Sequence, residues 1–333
     1  MIYRGSQQYR IRARNETANE LLFWYGGYQS GGWAQGGPWF VENVKEELDC
    51  VGEWFLDEAT QRLYVMPNGT HPADALLEGA ALRTLVSMQN VEHLRFEGLD
   101  FRHTAPTFLD AIQMPSDGDY RIYWGGAVEV RNSSFIGLHG NTLLALGGQG
   151  VFVTGTSNNV SIQSNEMHDI GESAIVLAGD GGSSQLVGAV GQFPSFAQVQ
   201  NNYIHDIGLF GKQSACVFQS LACGSTIRDN VCAGSPRHGV NLNDHFAGGT
   251  RIVGNLLFNT MRESRVGGPF NDWDRSAFYQ PAECTSGPTT DMPQVMKPRE
   301  REKRAEEEKR KEKKQKAKQK AKQKTRRKRK KKQ

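Results

Sequence analysis

One repeated unit organises most of this chain and limits the folds that it can adopt. In each copy a short run of β-forming residues leads to Asn, and a Gly or Asp turn follows a few residues later. An earlier copy has Gly98 in the place of Asn, and the intervals between copies are 34, 33, 37, 28 and 25 residues. Such a variable period predicts a β-solenoid with inserted loops. The remaining copies are centred on Asn132, Asn165, Asn202, Asn230 and Asn255.

Within each unit the residues follow the pattern of short β-strands. Apolar and polar residues alternate, β-branched side chains are common, and Gly or Asn bounds each run. Parallel stacking of such strands would place the asparagines in one column, where their amides can hydrogen-bond along the axis. We therefore expect an all-β protein, a right-handed parallel β-helix of about six rungs from Leu85 to Asn259. The segments AIVLAGD, ACVFQSL and GVNLND should be strands of successive rungs.

Composition divides the chain into four parts. Residues 1–84 lack the repeat and predict a β-rich N-terminal portion that caps the β-helix of residues 85–280. Residues 281–296 form a linker, and 297–333 form a basic low-complexity tail, disordered or helical. This tail holds 22 of the 40 Lys and Arg residues but 6 of the 36 Asp and Glu residues, so it carries +16 while the rest carries −12. It should make few contacts with the body. It binds a polyanion such as nucleic acid, serves as a nuclear address, or is a solvated appendage.

The cysteines and the lengths of the apolar runs give information on the cellular compartment of the protein. The five cysteines include no CxxC pair, which argues against zinc or thioredoxin chemistry and favours simple packing, with a disulfide or a metal as alternatives. No apolar run is long enough for a membrane span, and the first residues lack the apolar core of a secretory leader. N-glycosylation sequons, which matter only in a secretory pathway, stand at Asn15, Asn68, Asn132 and Asn159.

Four further segments occur in order: FVENVKEELDCVGEWFLDEATQRLYVMPNGT, FEGLDFRHTAPTFL with GGAVEV, GVNLNDHFAGG, and RES followed by GPFNDWDR. With the repeat they resemble the right-handed β-helix, pectin-lyase-like proteins, in particular β-helix glycoside hydrolases. This resemblance implies an extracellular protein that handles a polysaccharide or oligosaccharide in a groove along one parallel sheet. The chain departs from the resemblance at Val266 and Gly267, where related proteins have an acid and a histidine, and at His245, where they have Gly.

Candidate catalytic residues are carboxylates at the ends of strands. Hydrolysis of a glycoside needs two carboxyl groups, about 5–5.5 Å apart for retention or about 6.5–9.5 Å for inversion. Asp180 ends AIVLAGD and Asp244 ends GVNLND, and equivalent positions on neighbouring rungs lie roughly 4.8 Å apart. We expect Asp244 to act with Asp180, Glu263 or Asp274. An aspartate that only closes a turn is the alternative. Further carboxylates near loops are Glu172 and Asp272.

Several side chains near the candidate carboxylates in the sequence are suited to sugar binding. Some are hydrogen-bond donors, and the indole of Trp273 can stack on a pyranose ring. An ion-paired capping loop is the alternative for the charged members. Two HDIG strings, at His168 and His205, occupy the same place in successive rungs and predict structural turns, although stacked histidines could also bind a sugar or a metal. The residues expected to contact substrate are Asn243, His245, Arg262, Trp273 and Arg275.

Three functions stay open at this point. The first is a glycoside hydrolase-like enzyme without metal or cofactor. The second is a non-catalytic carbohydrate-binding or structural β-helix protein, which the departures at Val266 and Gly267 favour. The third is a polysaccharide lyase, which would act on a uronate, commonly with Ca²⁺ and with a basic proton abstractor such as Arg262.

Overall fold

A computed structural model gives the structure over residues 9–26, 40–69, 71, 74, 76–110, 112–113, 120, 122–179, 193–243, 248–264 and 267–272. All of these residues belong to the first of two units of the chain, Met1–Gly287. The second unit, Pro288–Gln333, lies outside the described residues, as do the expected linker and basic tail.

Two antiparallel hairpins precede the repeat. β1 (Tyr9–Asn15) pairs with β2 (Glu20–Gly26), and β3 (Trp54–Asp57) pairs with β4 (Arg62–Val65). A 3-10 helix, Lys45–Glu47, lies between the two hairpins along the chain.

Six triplets of strands follow, and each triplet gives one strand to each of three sheets. In chain order the strands are β5 (Val86–Gln89), β6 (Arg95–Glu97), β7 (Asp100–Thr104); a hairpin of β8 (Ile112–Gln113) and β9 (Ile122–Tyr123); β10 (Val128–Arg131), β11 (Gly137–His139), β12 (Thr142–Leu146); β13 (Val151–Thr154), β14 (Ser161–Gln163), β15 (Glu166–Ile170); β16 (Ile175–Ala178), β17 (Gln198–Gln200), β18 (Tyr203–Ile207); β19 (Ala215–Ser220), β20 (Thr226–Arg228), β21 (Val231–Ala233); β22 (His238–Leu242), β23 (Arg251–Val253), β24 (Leu256–Phe258); and a last strand, β25 (Phe270–Asp272).

The three sheets are parallel throughout, and the chain visits them in a fixed cycle. The first sheet has the order β25-β22-β19-β16-β13-β10-β5, the second β23-β20-β17-β14-β11-β6, and the third β24-β21-β18-β15-β12-β7. The predicted all-β class with long parallel sheets is therefore confirmed, and the arrangement is compatible with a β-helix. The described residues contain no α-helix, and hence none that is long and apolar enough to cross a membrane.

A single hydrophobic core takes side chains from all three sheets. Val151 of the first sheet, Ile162 of the second and Met167 of the third are each 0% exposed and belong to one cluster. Since successive residues of a strand point to opposite faces, the side chain of Phe152 points away from this core. It joins a second buried cluster, with Tyr120 and Phe218, on the outer face of the first sheet.

A ladder of asparagines, buried except for the half-buried Asn255, links the triplets between the second and third sheets. Nδ2 of Asn165 donates to Oδ1 of Asn202 at 2.9 Å, and Nδ2 of Asn202 donates to Oδ1 of Asn230 at 2.9 Å. Asn230 donates in the same way to Asn255 at 2.8 Å. The predicted asparagine column is confirmed for these four residues.

The first member of the ladder differs from the prediction. Asn141 occupies that place, because its Nδ2 donates to Oδ1 of Asn165 at 3.1 Å. Asn132 follows a strand of the first sheet instead, and its Oδ1 accepts a hydrogen bond from the backbone N–H of Thr156 at 3.0 Å. The assignment of Asn132 to the column was therefore wrong.

A disulfide crosslinks two of the sheets. Cys216 in β19 of the first sheet is bonded to Cys232 in β21 of the third, with a Cα–Cα distance of 6.2 Å, and both residues are buried. Cys223 is disulfide-bonded as well, whereas Cys50 is free and exposed. The favoured interpretation of the cysteines as packing residues was thus wrong for Cys216, Cys223 and Cys232.

Candidate functional site

The nine residues expected at the site divide between the described and the remaining parts of the chain. Asn243, Arg262 and Glu263 lie in the described part. The other six lie outside the described residues: Asp180, Asp244, His245, Trp273, Asp274 and Arg275.

The two segments expected to form the site are direct neighbours. β22, from GVNLND, pairs in parallel with β25, from GPFNDW, so that Asn241 stands opposite Asn271. Nδ2 of Asn271 donates to Oδ1 of Asn241 at 2.7 Å. Asn241 is in register with Phe218, which faces outward from the first sheet, so the amides continue that outer face. Asn243, next on the same face, is 3% exposed.

Asp272 lies on the other face of the same strand. It pairs with Leu242, whose side chain belongs to the hydrophobic core. Because strand residues alternate between faces, the Asp272 carboxylate does not join the amides of Asn241 and Asn271.

The RES segment is held against the turn that precedes β22. The backbone N–H groups of residues 261–263 donate to the carbonyl oxygens of residues 235–237, at 2.8–3.2 Å. Nζ of Lys212 donates to Oε1 of Glu263 at 3.0 Å, and a guanidinium nitrogen of Arg262 lies 3.8 Å from Oδ1 of Asp206. Both charged residues of this segment are therefore ion-paired, as the capping-loop alternative expects.

A buried carboxylate lies in the neighbouring turns between the third and first sheets. Glu172 is 5% exposed, and Oγ1 of Thr107 donates to its Oε2 at 2.6 Å. A Cβ added to Gly211 would lie 2.9 Å from Oε1 of Glu172, so the carboxylate packs directly on that glycine. Glu172 and Glu263 thus contact consecutive residues of one turn, Gly211 and Lys212.

A buried cluster of Tyr120, Arg237 and His238 on the outer face of the first sheet was not predicted from the sequence. The guanidinium carbon of Arg237 lies 4.6 Å from the ring centre of Tyr120, and the His238 ring stacks on the same tyrosine at 5.8 Å. Nδ1 of His238 lies 2.8 Å from the carbonyl oxygen of Gly268, so this nitrogen carries the proton. No local pattern marks the group, because Tyr120 lies outside the repeat.

Only glycine can be accommodated at position 267, next to His238. The φ of Gly267 is +102°, a conformation that L side chains rarely adopt, and an added Cβ would lie 2.2 Å from Cε1 of His238. The packing of this chain therefore has no room for a histidine at position 267.

The HDIG strings occupy equivalent places on the third sheet, as the repeat predicts, but their His, Asp and Ile residues belong to strands β15 and β18 and not to turns. His168 pairs with His205 across β15 and β18, and their rings are parallel with centroids 5.0 Å apart. Nδ1 of each histidine lies 2.9 Å from the following aspartate, Asp169 or Asp206. Tyr203 stands 4.5 Å from the His205 ring and is 45% exposed, so this face presents stacked rings and carboxylates to solvent.

Only one group in the described part of the chain has metal-ligand spacing, and it lies away from these segments in sequence. It consists of Asp49, Cys50 and Glu53. Oε2 of Glu53 accepts the backbone N–H groups of Asp49 and Cys50 at 3.0 and 2.8 Å, which explains the carboxylate as part of a turn. A hydrogen bond to Asp49 and nearby negative charge raise the pKa of the Cys50 thiol, which disfavours the thiolate that a metal requires.

Comparison with known proteins gives no match among protein-family models, curated proteins or solved structures.

Proposed function

We propose that the three sheets form a right-handed parallel β-helix of the pectin-lyase-like type, with six rungs between Leu85 and Asn259. The cyclic order of the strands, the single core shared by the sheets and the asparagine ladder support this proposal. Each rung would then be one triplet of strands.

We propose further that the protein is carbohydrate-active, resembling a glycoside hydrolase, and that it holds a polysaccharide along the first sheet. The observation that carries the proposal is the parallel pairing of β22 with β25. This pairing joins the two segments that contain most of the candidate catalytic and binding residues, and amide side chains line the outer face where they meet.

In this proposal Asp244 is one member of the catalytic pair and Asp180, Glu263 or Asp274 is the other. Glu263 would act from its ion pair with Lys212, which fixes the direction of its carboxylate. Asn243 is nearly buried, which suits positioning of the following loop more than direct contact with sugar. The proposed contacts to the substrate come from His245, Arg262, Trp273 and Arg275.

The test is release of reducing ends from a panel of neutral and acidic polysaccharides by the full chain. Asp244→Asn should lower the rate by about 100-fold or more, because one carboxylate commonly carries that much of the rate. The matched control is Asp229→Asn, an exposed aspartate that pairs with Arg228 at 2.7 Å and should leave the rate unchanged. Absence of release from every substrate would contradict a hydrolase, and unsaturated sugar ends would indicate a lyase.

A non-catalytic carbohydrate-binding protein is the second candidate, and a specific observation favours it. Gly267 has no room for the histidine of the related proteins, and Glu263 is already ion-paired. Glycan-array binding that persists in Asp244→Asn, without any turnover by the unmodified chain, would support this function.

A further inference from the structure

The asparagines of this chain fall into two groups that use their side-chain amides differently. In the ladder, Nδ2 of Asn202 uses both of its hydrogens, donating to the carbonyl of Ile162 at 2.9 Å and to Asn230 at 2.9 Å. Six asparagines of the described chain are buried, and none of them is followed two residues later by Ser or Thr. They are Asn141, Asn165, Asn202, Asn230, Asn241 and Asn243.

The four sequon asparagines are all exposed, and two of them use their oxygen alone. Oδ1 of Asn132 accepts from the N–H of Thr156 at 3.0 Å, and Oδ1 of Asn15 accepts from the N–H of Ala18 at 3.2 Å. Within the described residues, Nδ2 of neither side chain donates a hydrogen bond. The turn therefore depends on the oxygen, and the nitrogen that would carry a glycan is left available. The remaining sequon residues are Asn68 and Asn159.

Two of these sites stand close together at one edge of the sheets. Asn132 and Asn159 lie in turns that lead from the first sheet to the second, in the second and third triplets. These turns are joined by a parallel bridge between Ser134 and Asn158. Nδ2 of Asn159 donates to Oδ1 of Asn158 at 2.9 Å, a bond that the N–H remaining after glycosylation can keep.

We infer that Asn132 and Asn159 are N-glycosylated and that this chain matures in an oxidising, glycosylating compartment. The buried disulfide Cys216–Cys232 supports the compartment independently, because such bonds persist where thiols are not kept reduced. In the reaction, Nδ2 forms a bond to the anomeric carbon of a lipid-diphosphate-linked oligosaccharide. The bond from that carbon to the diphosphate oxygen breaks, Nδ2 loses one proton, and the lipid diphosphate leaves.

This inference is independent of the proposed function, because the two glycans belong to the second and third triplets, whereas β22, β25 and Glu263 belong to the sixth triplet and the segment after it. β22, which precedes Asp244, is the first strand of the sixth triplet, and Glu263 follows β24, the last strand of that triplet. Asn132 and Asn159 follow β10 and β13, which β16 and β19 separate from β22 and β25 in the order of the first sheet.

The experiment directs the full chain into the secretory pathway of eukaryotic cells with a cleavable leader and isolates the folded, protease-resistant protein. Peptide-N-glycosidase in ¹⁸O water then labels every asparagine that carried a glycan. We expect label at Asn132 and Asn159 and none at the six buried asparagines. The same digest applied to protein from its natural source should label the same two positions.

Matched variants separate the sites from their surroundings. Asn132→Gln and Asn159→Gln should each remove one glycan mass, whereas Asn158→Gln, beside a sequon but outside it, should remove none. The inference is overturned if folded, disulfide-bonded protein carries no glycan at Asn132 and Asn159. It is also overturned if the folded fraction is depleted of the glycosylated chains present in the total, because the fold would then exclude the glycan.

Discussion

Lys212 and Glu263 form an ion pair whose two ends are buried to different extents. Nζ of Lys212 lies 3.0 Å from Oε1 of Glu263, and the side chain of Lys212 is 13% exposed while that of Glu263 is 40% exposed. The pair connects the turn before β19 to the segment after β24, and so holds the RES segment against the body of the protein.

Removal of each partner should therefore have unequal effects on stability. Glu263→Ala leaves a poorly hydrated ammonium without its partner and should lower the free energy of unfolding by about 1–3 kcal/mol. Lys212→Met leaves a carboxylate that water can reach and should cost less than about 1 kcal/mol. Urea unfolding of both variants and of the double variant measures the difference, and equal losses would contradict the asymmetric burial.

The interior of the asparagine ladder should be sensitive to substitution. Asn202→Ala removes the acceptor of Asn165 and the donor to Asn230, and should lower the free energy of unfolding by about 2–4 kcal/mol. Asn158→Ala serves as the control, since Asn158 lies outside the ladder and is partly exposed. A loss in the control as large as that in Asn202→Ala would show that the ladder has no special role.

The disulfide between Cys216 and Cys232 should stabilise the protein chiefly by restricting the unfolded chain. Its sequence separation is 16 residues, and a loop of about this size is worth about 3 kcal/mol. Thermal unfolding of Cys216→Ala/Cys232→Ala against the unmodified protein measures this loss. Cys50→Ser, which changes the exposed free thiol, should leave the midpoint unchanged.

Substitution of Gly267 by any larger residue should destabilise the protein, whereas substitution of Gly268 should not. Gly267→Ala forces a Cβ against His238 at a positive φ and should cost about 2–4 kcal/mol. Gly268→Ala is the matched control, because the nearest atom to its added Cβ is the oxygen of Phe270 at 3.4 Å. If Gly267→His is tolerated as well as Gly268→Ala, the packing around His238 differs from that described here.

The pH dependence of stability should include a contribution from His139. Burial, with Arg95 nearby, lowers the pKa of His139 below the usual 6.5. The unfolded state then binds the proton more tightly, so the stability present above pH 6.5 declines as the pH falls toward the lower folded pKa. His139→Gln should flatten this decline in urea unfolding curves, and an NMR titration of the ring should give the lowered pKa directly.

The sequence predicted the strands well but confused two positions of the repeat. Each triplet contains several short β-branched runs that end in Asn or Gly, so a window around Asn132 looks like a window around Asn165. What separates them is the sheet to which the preceding strand belongs. That is a matter of long-range pairing, and it made Asn141 rather than Asn132 the first member of the ladder.

The site was predictable only where chain order alone determines which segments meet. GVNLND and GPFND are successive members of the first sheet, so their contact followed from counting strands. The stacking of Arg237 and His238 on Tyr120 did not follow, because Tyr120 arrives from the segment between β8 and β9. The disulfide likewise joins strands of different sheets, and cysteine spacing gives no indication of that.

The asparagine ladder also bears on how such a chain can vary in length. Every interior member makes the same two bonds between side-chain amides, one to the triplet before it and one to the triplet after it, although the intervals from Asn141 to Asn255 are 24, 37, 28 and 25 residues. The bond at each step therefore depends on the three strands and not on the number of residues in the turns. A gene that gains or loses one whole triplet, or lengthens one turn, would keep an unbroken ladder, whereas a change of one residue within a strand would not.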